Sequence, residues 1–206
     1  DRYPLMHPWS PPPVHNINTG LGYETIQEAI NAPETLNGHI IFVQEGTYYE
    51  NVIVNKTVSL IGENKSRTII DGNHTGTVMN ITANSVNITG FTIQNSGGWS
   101  DGIYASSNGN NISKNVIINT ARAGIFLKRS SNNYISENKI VDNAFVGIRL
   151  RDAATENIIA NNNISNNQDA VLLEESSANN AIIENYISHN MFGVETGWLS
   201  SNNLIS

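Results

Sequence analysis

Two sets of positions recur along the second half of the chain and hold side chains able to bind a ligand. The first reads Tyr104, Phe126, Arg149, Leu172 and Glu195, and the second, two places further on, reads Ser106, Lys128, Arg151, Glu174 and Gly197. Trp99 and Trp198 lie near opposite ends of this strip. Aromatic rings stack on sugar faces, and guanidinium groups pair with uronate carboxylates through a planar fork. The chemistry implied is polysaccharide binding, with Trp99, Asp101, Tyr104, Phe126, Lys128, Arg149, Arg151, Glu174, Glu195 and Trp198 as candidate residues. The competing expectation is a solvated face laced with cross-strand ion pairs, such as Arg151 with Glu174.

Glycosidic hydrolysis sets a sharper requirement: two carboxyl groups about 5 to 9.5 Å apart. Asp101 and Asp169 occupy equivalent places, but Ala123 and Val146 hold that place on the two repeats between them. Three strand spacings of ~4.8 Å separate such a pair by roughly 14 Å, too far to flank one bond. A lyase would need a base beside an acidic calcium cluster. Arg149 and Arg151 have only Asp152 and Glu174 nearby in sequence. No catalytic residue is assigned, and no cofactor beyond a calcium ion that so acidic a chain would admit. Copper favours Cys, Met and His, of which the chain has none, three and five. His189 and Met191 stand at i, i+2 on one face of an expected strand, and Met6 adjoins His7. Neither pair supplies three ligands, so no metal site is assigned.

The elements that must position these residues follow from a repeat. Asn110, Asn133, Asn157, Asn180 and Asn203 each stand two residues before an isoleucine, Ile112, Ile135, Ile159, Ile182 and Ile205. Ile117, Ile140, Ile164 and Ile187 form a second column, and Gly124-Ile125, Gly147-Ile148, Ala170-Val171 and Gly193-Val194 a third. The step is about 23 residues, within the range of solenoids. Each unit holds only short alternating strands, so the units stack and pair in parallel. This predicts an all-β, right-handed, single-stranded parallel β-helix. The five asparagines are expected at a turn repeated on every rung, where their amides form a ladder and the left-handed conformation is tolerated.

Upstream, Asp1–Val14 is Pro-rich and aperiodic, so residues 1–16 are expected to be a linker or the tail of a preceding module, and residues 17–206 the β-helix domain. Thr25 with Glu28 three places later forms a capping box, and Ile26, Ala29 and Ile30 share one face. A short helix there would cover the open N-terminal end. The chain stops partway through a rung at SSNNLIS, so further rungs are expected beyond it.

The stretch GTYYENVIVNKTVSLIGENKSRTIIDG, Gly46–Gly72, resembles the first turns of pectin-lyase-like β-helices, including pectin methylesterases. The catalytic aspartates and arginine of the methylesterases are not recognisable. NNYISENKI, Asn132–Ile140, is similar to the repeats of NosD-type periplasmic copper proteins, which abound in archaeal surface proteins. DRYPLMHPW resembles the tail that closes such modules. The resemblance implies a β-helix on an extracellular or cell-surface protein, of the S-layer or sheath kind. It fixes no activity, because this fold hosts many.

Composition narrows the partners. The net charge is −7 with only 11 Lys and Arg, against the basic clusters that phosphate backbones or anionic lipids require. No apolar run is long enough to span a bilayer. Seven Asn-x-Ser/Thr sequons occur, at Asn55, Asn64, Asn73, Asn80, Asn87, Asn111 and Asn163. Asn80 and Asn87 fall in expected strands, which leaves Asn55, Asn64, Asn73, Asn111 and Asn163 as the candidate glycan acceptors.

The expected function is a non-catalytic extracellular scaffold module, self-associating or flanked by further β-helix modules, and binding polysaccharide. The alternatives are a carbohydrate-active lyase or hydrolase, and an accessory factor for copper-enzyme maturation. An uncovered C-terminal rung leaves strand edges free to pair, so light scattering should show self-association. A strictly monomeric species counts against it.

Overall fold

The structure is a computed structural model and describes residues 11–206. Three sheets wind around one core, parallel throughout except at the N-terminal edge of the first. Sheet I has ten strands, and sheets II and III have seven each, so the chain completes seven turns. Successive strands of a turn fall on successive sheets: Asn111–Ser113 on I, Val116–Ile118 on II and Ala123–Lys128 on III. The three sequence columns are the inward rows of the three sheets. Ile112, Ile135 and Ile159 stack on sheet I, Ile117, Ile140 and Ile164 on sheet II, and Ile125, Ile148 and Val171 on sheet III. All nine are fully buried. Alternation puts the residues beside them outside, which is what the strand period requires.

Each corner between sheets carries its own asparagine ladder. At the corner from sheet III to sheet I, Asn110 Nδ2 donates to Asn133 Oδ1 at 2.8 Å, Asn133 to Asn157 at 2.7 Å, Asn157 to Asn180 at 2.9 Å and Asn180 to Asn203 at 3.1 Å. This is the expected ladder. Two others were not foreseen. Asn115, Asn138, Asn162 and Asn185 stack between sheets I and II, and Asn143, Asn167 and Asn190 between II and III, where Thr120 starts the row. A mid-ladder amide is fully used. Asn138 Oδ1 accepts from the backbone and side-chain nitrogens of Asn115, while its Nδ2 donates to Ile112 O and Asn162 Oδ1.

The left-handed conformation expected on these asparagines does not fall on them. It falls on the residue before each: Asn132, Glu156 and Asn179 at one corner, Lys114, Glu137 and Asn161 at the next, and Asp142, Asn166 and His189 at the third. That residue turns the chain and points outward, and the following Asn is thereby aimed inward, where all of these but the half-buried Asn190 are buried.

The N-terminal end is closed by α1, Ile26–Asn31, with the Thr25 and Glu28 capping box formed. The first turn holds both helix ends. Glu50 accepts from the backbone nitrogens of Ile26 and Gln27 at 2.9 Å, and Lys56 Nζ donates to Ala32 O and Thr35 O just past the helix. An anion at the start and a cation at the end suit the helix dipole. Val14–Asn16, placed with the linker on sequence grounds, is instead a strand of sheet I, antiparallel to both Leu21–Tyr23 and Ile40–Val43. Val14 and Asn16 are buried there, so the β-helix includes residues 14–16. The pair Met6-His7 lies outside the described residues.

Substituting a ladder residue should therefore cost far more than substituting an outward one. Asn138→Ala strands the buried N–H of Asn115 and the carbonyl of Ile112, each worth about 1–3 kcal/mol unsatisfied. Chemical unfolding should show a loss of about 3–5 kcal/mol, against less than about 0.5 kcal/mol for the exposed Asn163→Ala. Equal losses would remove the ladder from its place in the fold.

Candidate functional site

The outer face of sheet III keeps the predicted register: Tyr104, Phe126, Arg149, Leu172 and Glu195 lie side by side on adjacent strands. Lys128 pairs with Arg151 in the second row. Outward does not mean exposed here. Phe126 is only 4% accessible and belongs to a second, smaller cluster with Ala123 and Val146, against which Tyr104 and Leu172 pack. Tyr104 meets its ring edge-on at 5.4 Å, and the guanidiniums of Arg122 and Arg149 lie 4.9 and 5.1 Å from its centroid. Phe126 and Tyr104 thus form a floor that positions cations, rather than a platform open to a ligand.

Beside this floor lies a cavity of about 390 Å³. Trp99 and Phe145 form one wall, their rings edge-to-face at 4.8 Å. Arg122, Arg149 and Arg151 supply cationic side chains, and Asp169 and Glu174 acidic ones, with Val146 and Leu172 between them. Of the candidates named from sequence, Trp99, Arg149, Arg151 and Glu174 line the cavity. Arg122, Phe145, Val146, Asp169 and Leu172 join them and had not been assigned. The signal for two of these was present, since Arg122 and Phe145 are 23 residues apart, one place before the sheet III strands.

Trp99 is held in a strained pose. It has φ +64° without being glycine, a conformation that costs a bulky L-residue about 1–2 kcal/mol. Gly97, two places earlier, makes the loop possible, because a Cβ there would lie 1.6 Å from His74 O. The result is an indole 60% exposed at the mouth of the cavity. Trp198, by contrast, is 82% exposed and follows its sheet III strand instead of preceding it, so it does not line the cavity.

The ionic groups are paired. Arg122 grips Asp101 through Nε–Oδ1 at 2.8 Å and Nη2–Oδ2 at 2.5 Å, and Asp101 also accepts from Ala123 N. Those bonds push the Arg122 pKa above its ordinary value. Arg149 donates from Nε and Nη2 to Glu174. Arg151 bonds Glu175, and its buried Nε, without a hydrogen bond, lies 3.5 and 3.6 Å from Asp152 and Glu174. The expected Arg151–Glu174 pair is thus secondary to Arg149–Glu174. Lys128 sits 3.5 Å from Asp152.

Asp169 differs from all of these. It is 5% accessible, and its Oδ1 is buried without any hydrogen-bond partner. Burial, together with the charges of Glu195 and Glu174, raises its pKa above the usual carboxylate range. Ala123, Val146 and Asp169 occupy one row on consecutive strands, and Asp101 stands one strand before Ala123, as the sequence spacing required. Asp101 and Asp169 are therefore three rungs apart, and Asp101 is locked to Arg122. The acids that act on Asp169 are Glu174 and Glu195, a proximity that sequence spacing had not indicated.

His189 and Met191 do not share a strand. Both lie in the turn between Tyr186–Ser188 and Phe192–Thr196, with the ladder residue Asn190 between them. Among the described residues, no three His, Cys, Asp or Glu side chains are grouped to hold a metal ion. Asn55, Asn73, Asn111 and Asn163 are exposed, and Asn64 is half-buried. Asn80 and Asn87 lie in strands with their Oδ1 atoms buried and unpartnered.

The fold and part of the sequence are shared with known proteins. A cell surface glycoprotein of Methanothermus fervidus is 39% identical over 112 residues, which are 54% of this chain and 18% of that protein. Among solved structures, a pectin methylesterase from Yersinia enterocolitica superposes with a TM-score of 0.57 at 14% identity, covering 87% of this chain and 66% of that one. An alginate lyase from Paenibacillus reaches 0.52 at 16% identity, covering 85% and 62%. At such identities these two likenesses establish the fold alone. The model of the right-handed beta helix region matches residues 75–206, nearly two thirds of the chain, and the protein belongs to that family.

Proposed function

We propose that this chain is a β-helix module of a cell-surface protein and that the sheet III cavity binds saccharide without cleaving it. The observation that carries the binding is Asp169, a buried carboxylate whose Oδ1 has no partner inside a cavity walled by an exposed indole. A buried acceptor left unsatisfied costs about 1–3 kcal/mol, and a ligand hydroxyl would remove that cost once a side-chain turn brings the oxygen to the cavity surface. Trp99 adds the flat apolar face that a pyranose ring stacks on. The surface location rests on the Methanothermus fervidus relative, a cell surface glycoprotein. The non-catalytic reading rests on the paired state of Asp101 and Glu174: Asp101 is gripped by Arg122 and Glu174 by Arg149.

A second reading, glycoside cleavage, draws on the raised pKa of Asp169, the property of a general acid. Incubating the chain with pectin, alginate and β-glucan and measuring new reducing ends or 4,5-unsaturated ends separates the two. Binding without turnover is expected. Turnover by the wild type that Asp169→Asn abolishes would install the second reading.

Asp169 also sets a stability test. Its folded pKa is raised, so the folded state holds its proton more tightly than the unfolded chain. Stability from this group is present at low pH and is lost as pH rises from the unfolded value through the folded one. Asp169→Asn should then raise the unfolding midpoint at pH 7 and give a smaller gain at pH 4, by differential scanning calorimetry. A lower midpoint at pH 7 would mean that the carboxylate is satisfied in a way the geometry does not show.

A further inference from the structure

We infer that the cavity selects a neutral, hydroxyl-rich saccharide over a uronate, an inference that rests on the saccharide-binding reading above. Three arginines around a cavity on a polysaccharide-binding fold suggest an acidic ligand at first sight. The hydrogen bonds point the other way. Each guanidinium already faces a carboxylate: Arg122 holds Asp101 bidentately, Arg149 holds Glu174, and Arg151 holds Glu175. A uronate on the Arg122 fork would have to displace Asp101 and leave that carboxylate buried beside a new negative charge, which is strongly unfavourable, and at Arg149 or Arg151 it would meet Glu174 or Glu175 already on the guanidinium. Arg151 keeps an unbonded Nε, but Asp152 and Glu174 stand 3.5 and 3.6 Å from it. Among the described residues that line the cavity, Asp169 is the acid whose buried oxygen has no partner, and an ionised carboxylate only accepts.

The arginines of the cavity are engaged by carboxylates, and the charges that act on Asp169 are negative. Glu174 and Glu195 are the neighbours that act on it, and both are acidic. A ligand entering here must therefore bring donors and no negative charge. Sugar hydroxyls meet that description, and the Trp99 indole offers a ring face to the C–H side of the same pyranose. The arginines then serve as positioning residues. Arg122 and Arg149 both lie against Phe126, and their ion pairs fix the cavity walls across neighbouring rungs.

The test is calorimetric titration of the whole chain with cellohexaose, mannohexaose, xylohexaose, hexagalacturonate and hexamannuronate, each at low salt and in 0.5 M NaCl. At least one neutral hexamer should bind, with an affinity indifferent to salt, and the uronates should bind about tenfold or more weakly. Asp169→Asn and Trp99→Ala should each weaken the neutral ligand about tenfold or more while the circular dichroism spectrum is kept. Glu174→Gln frees Arg149 from its carboxylate and should raise uronate affinity in a salt-dependent way. Uronate binding tighter than neutral binding in the wild type would overturn this inference and leave the cavity as a saccharide site. Failure of all five hexamers to bind would overturn both.

Discussion

A buried asparagine amide needs about four hydrogen bonds, and at these corners a like amide one strand spacing away supplies the bond that the backbone does not. That requirement organises the molecule. Once Asn110 is in place, its Nδ2 must find Asn133 Oδ1, and so on down the stack. A residue inserted between two ladder positions would pull one amide out of the row and orphan its neighbours. The rungs with ladders are accordingly regular. Ile112 pairs with Ile135, Ile135 with Ile159 and Ile159 with Ile182, steps of 23 or 24 residues. Before the ladders begin, Ile41 pairs with Leu60 and Leu60 with Ile88, steps of 19 and 28. The apolar core tolerates either spacing, since burial is non-directional. The amides do not.

The same constraint explains why so much of the fold was legible and where reading failed. Inward columns are visible in sequence because strand alternation and a fixed step put like residues at like positions, and Ile112, Ile117 and Ile125 each head such a row. The Asn110 ladder was visible because each member precedes an isoleucine by two. The Asn138 and Asn143 ladders follow the same logic, yet they were hidden among other asparagines that point outward, such as Asn161, Asn163 and Asn166. Composition cannot separate the two kinds. Only the left-handed residue before each ladder position does, and its type varies from Lys114 to Glu137 to Asn161.

The site was legible in register and not in depth. Spacing placed Tyr104, Phe126 and Arg149 in one outward row, which is correct. It could not say that Phe126 would be covered, because that depends on where Arg122 and Arg149 lay their side chains. Nor could it say which acid each arginine would take. Glu174 and Glu175 are adjacent in sequence, and the choice between them for Arg149 and Arg151 is made by side-chain reach across one rung. Val14–Asn16 failed for another reason. The prolines at positions 11–13 break periodicity just before a strand only three residues long, too short to show a pattern of its own.

Departures from good packing coincide at the sheet III cavity. The row holding Asp169 carries Ala123 and Val146 on the two preceding strands, and both contribute to the outer apolar cluster. A face serving only stability would continue that cluster with another apolar side chain. Instead the row places a carboxylate in a buried position with an unused oxygen. Within the same cavity, Trp99 occupies a backbone conformation that a bulky residue disfavours, and its ring is exposed rather than packed away. Each departure alone is compatible with chance on a surface of this size. Their convergence on one cavity of about 390 Å³ is the pattern expected where local stability has been given up for recognition. The fold therefore supplies a rigid, repetitive frame, and on the proposed reading the irregular residues are where that frame meets its ligand.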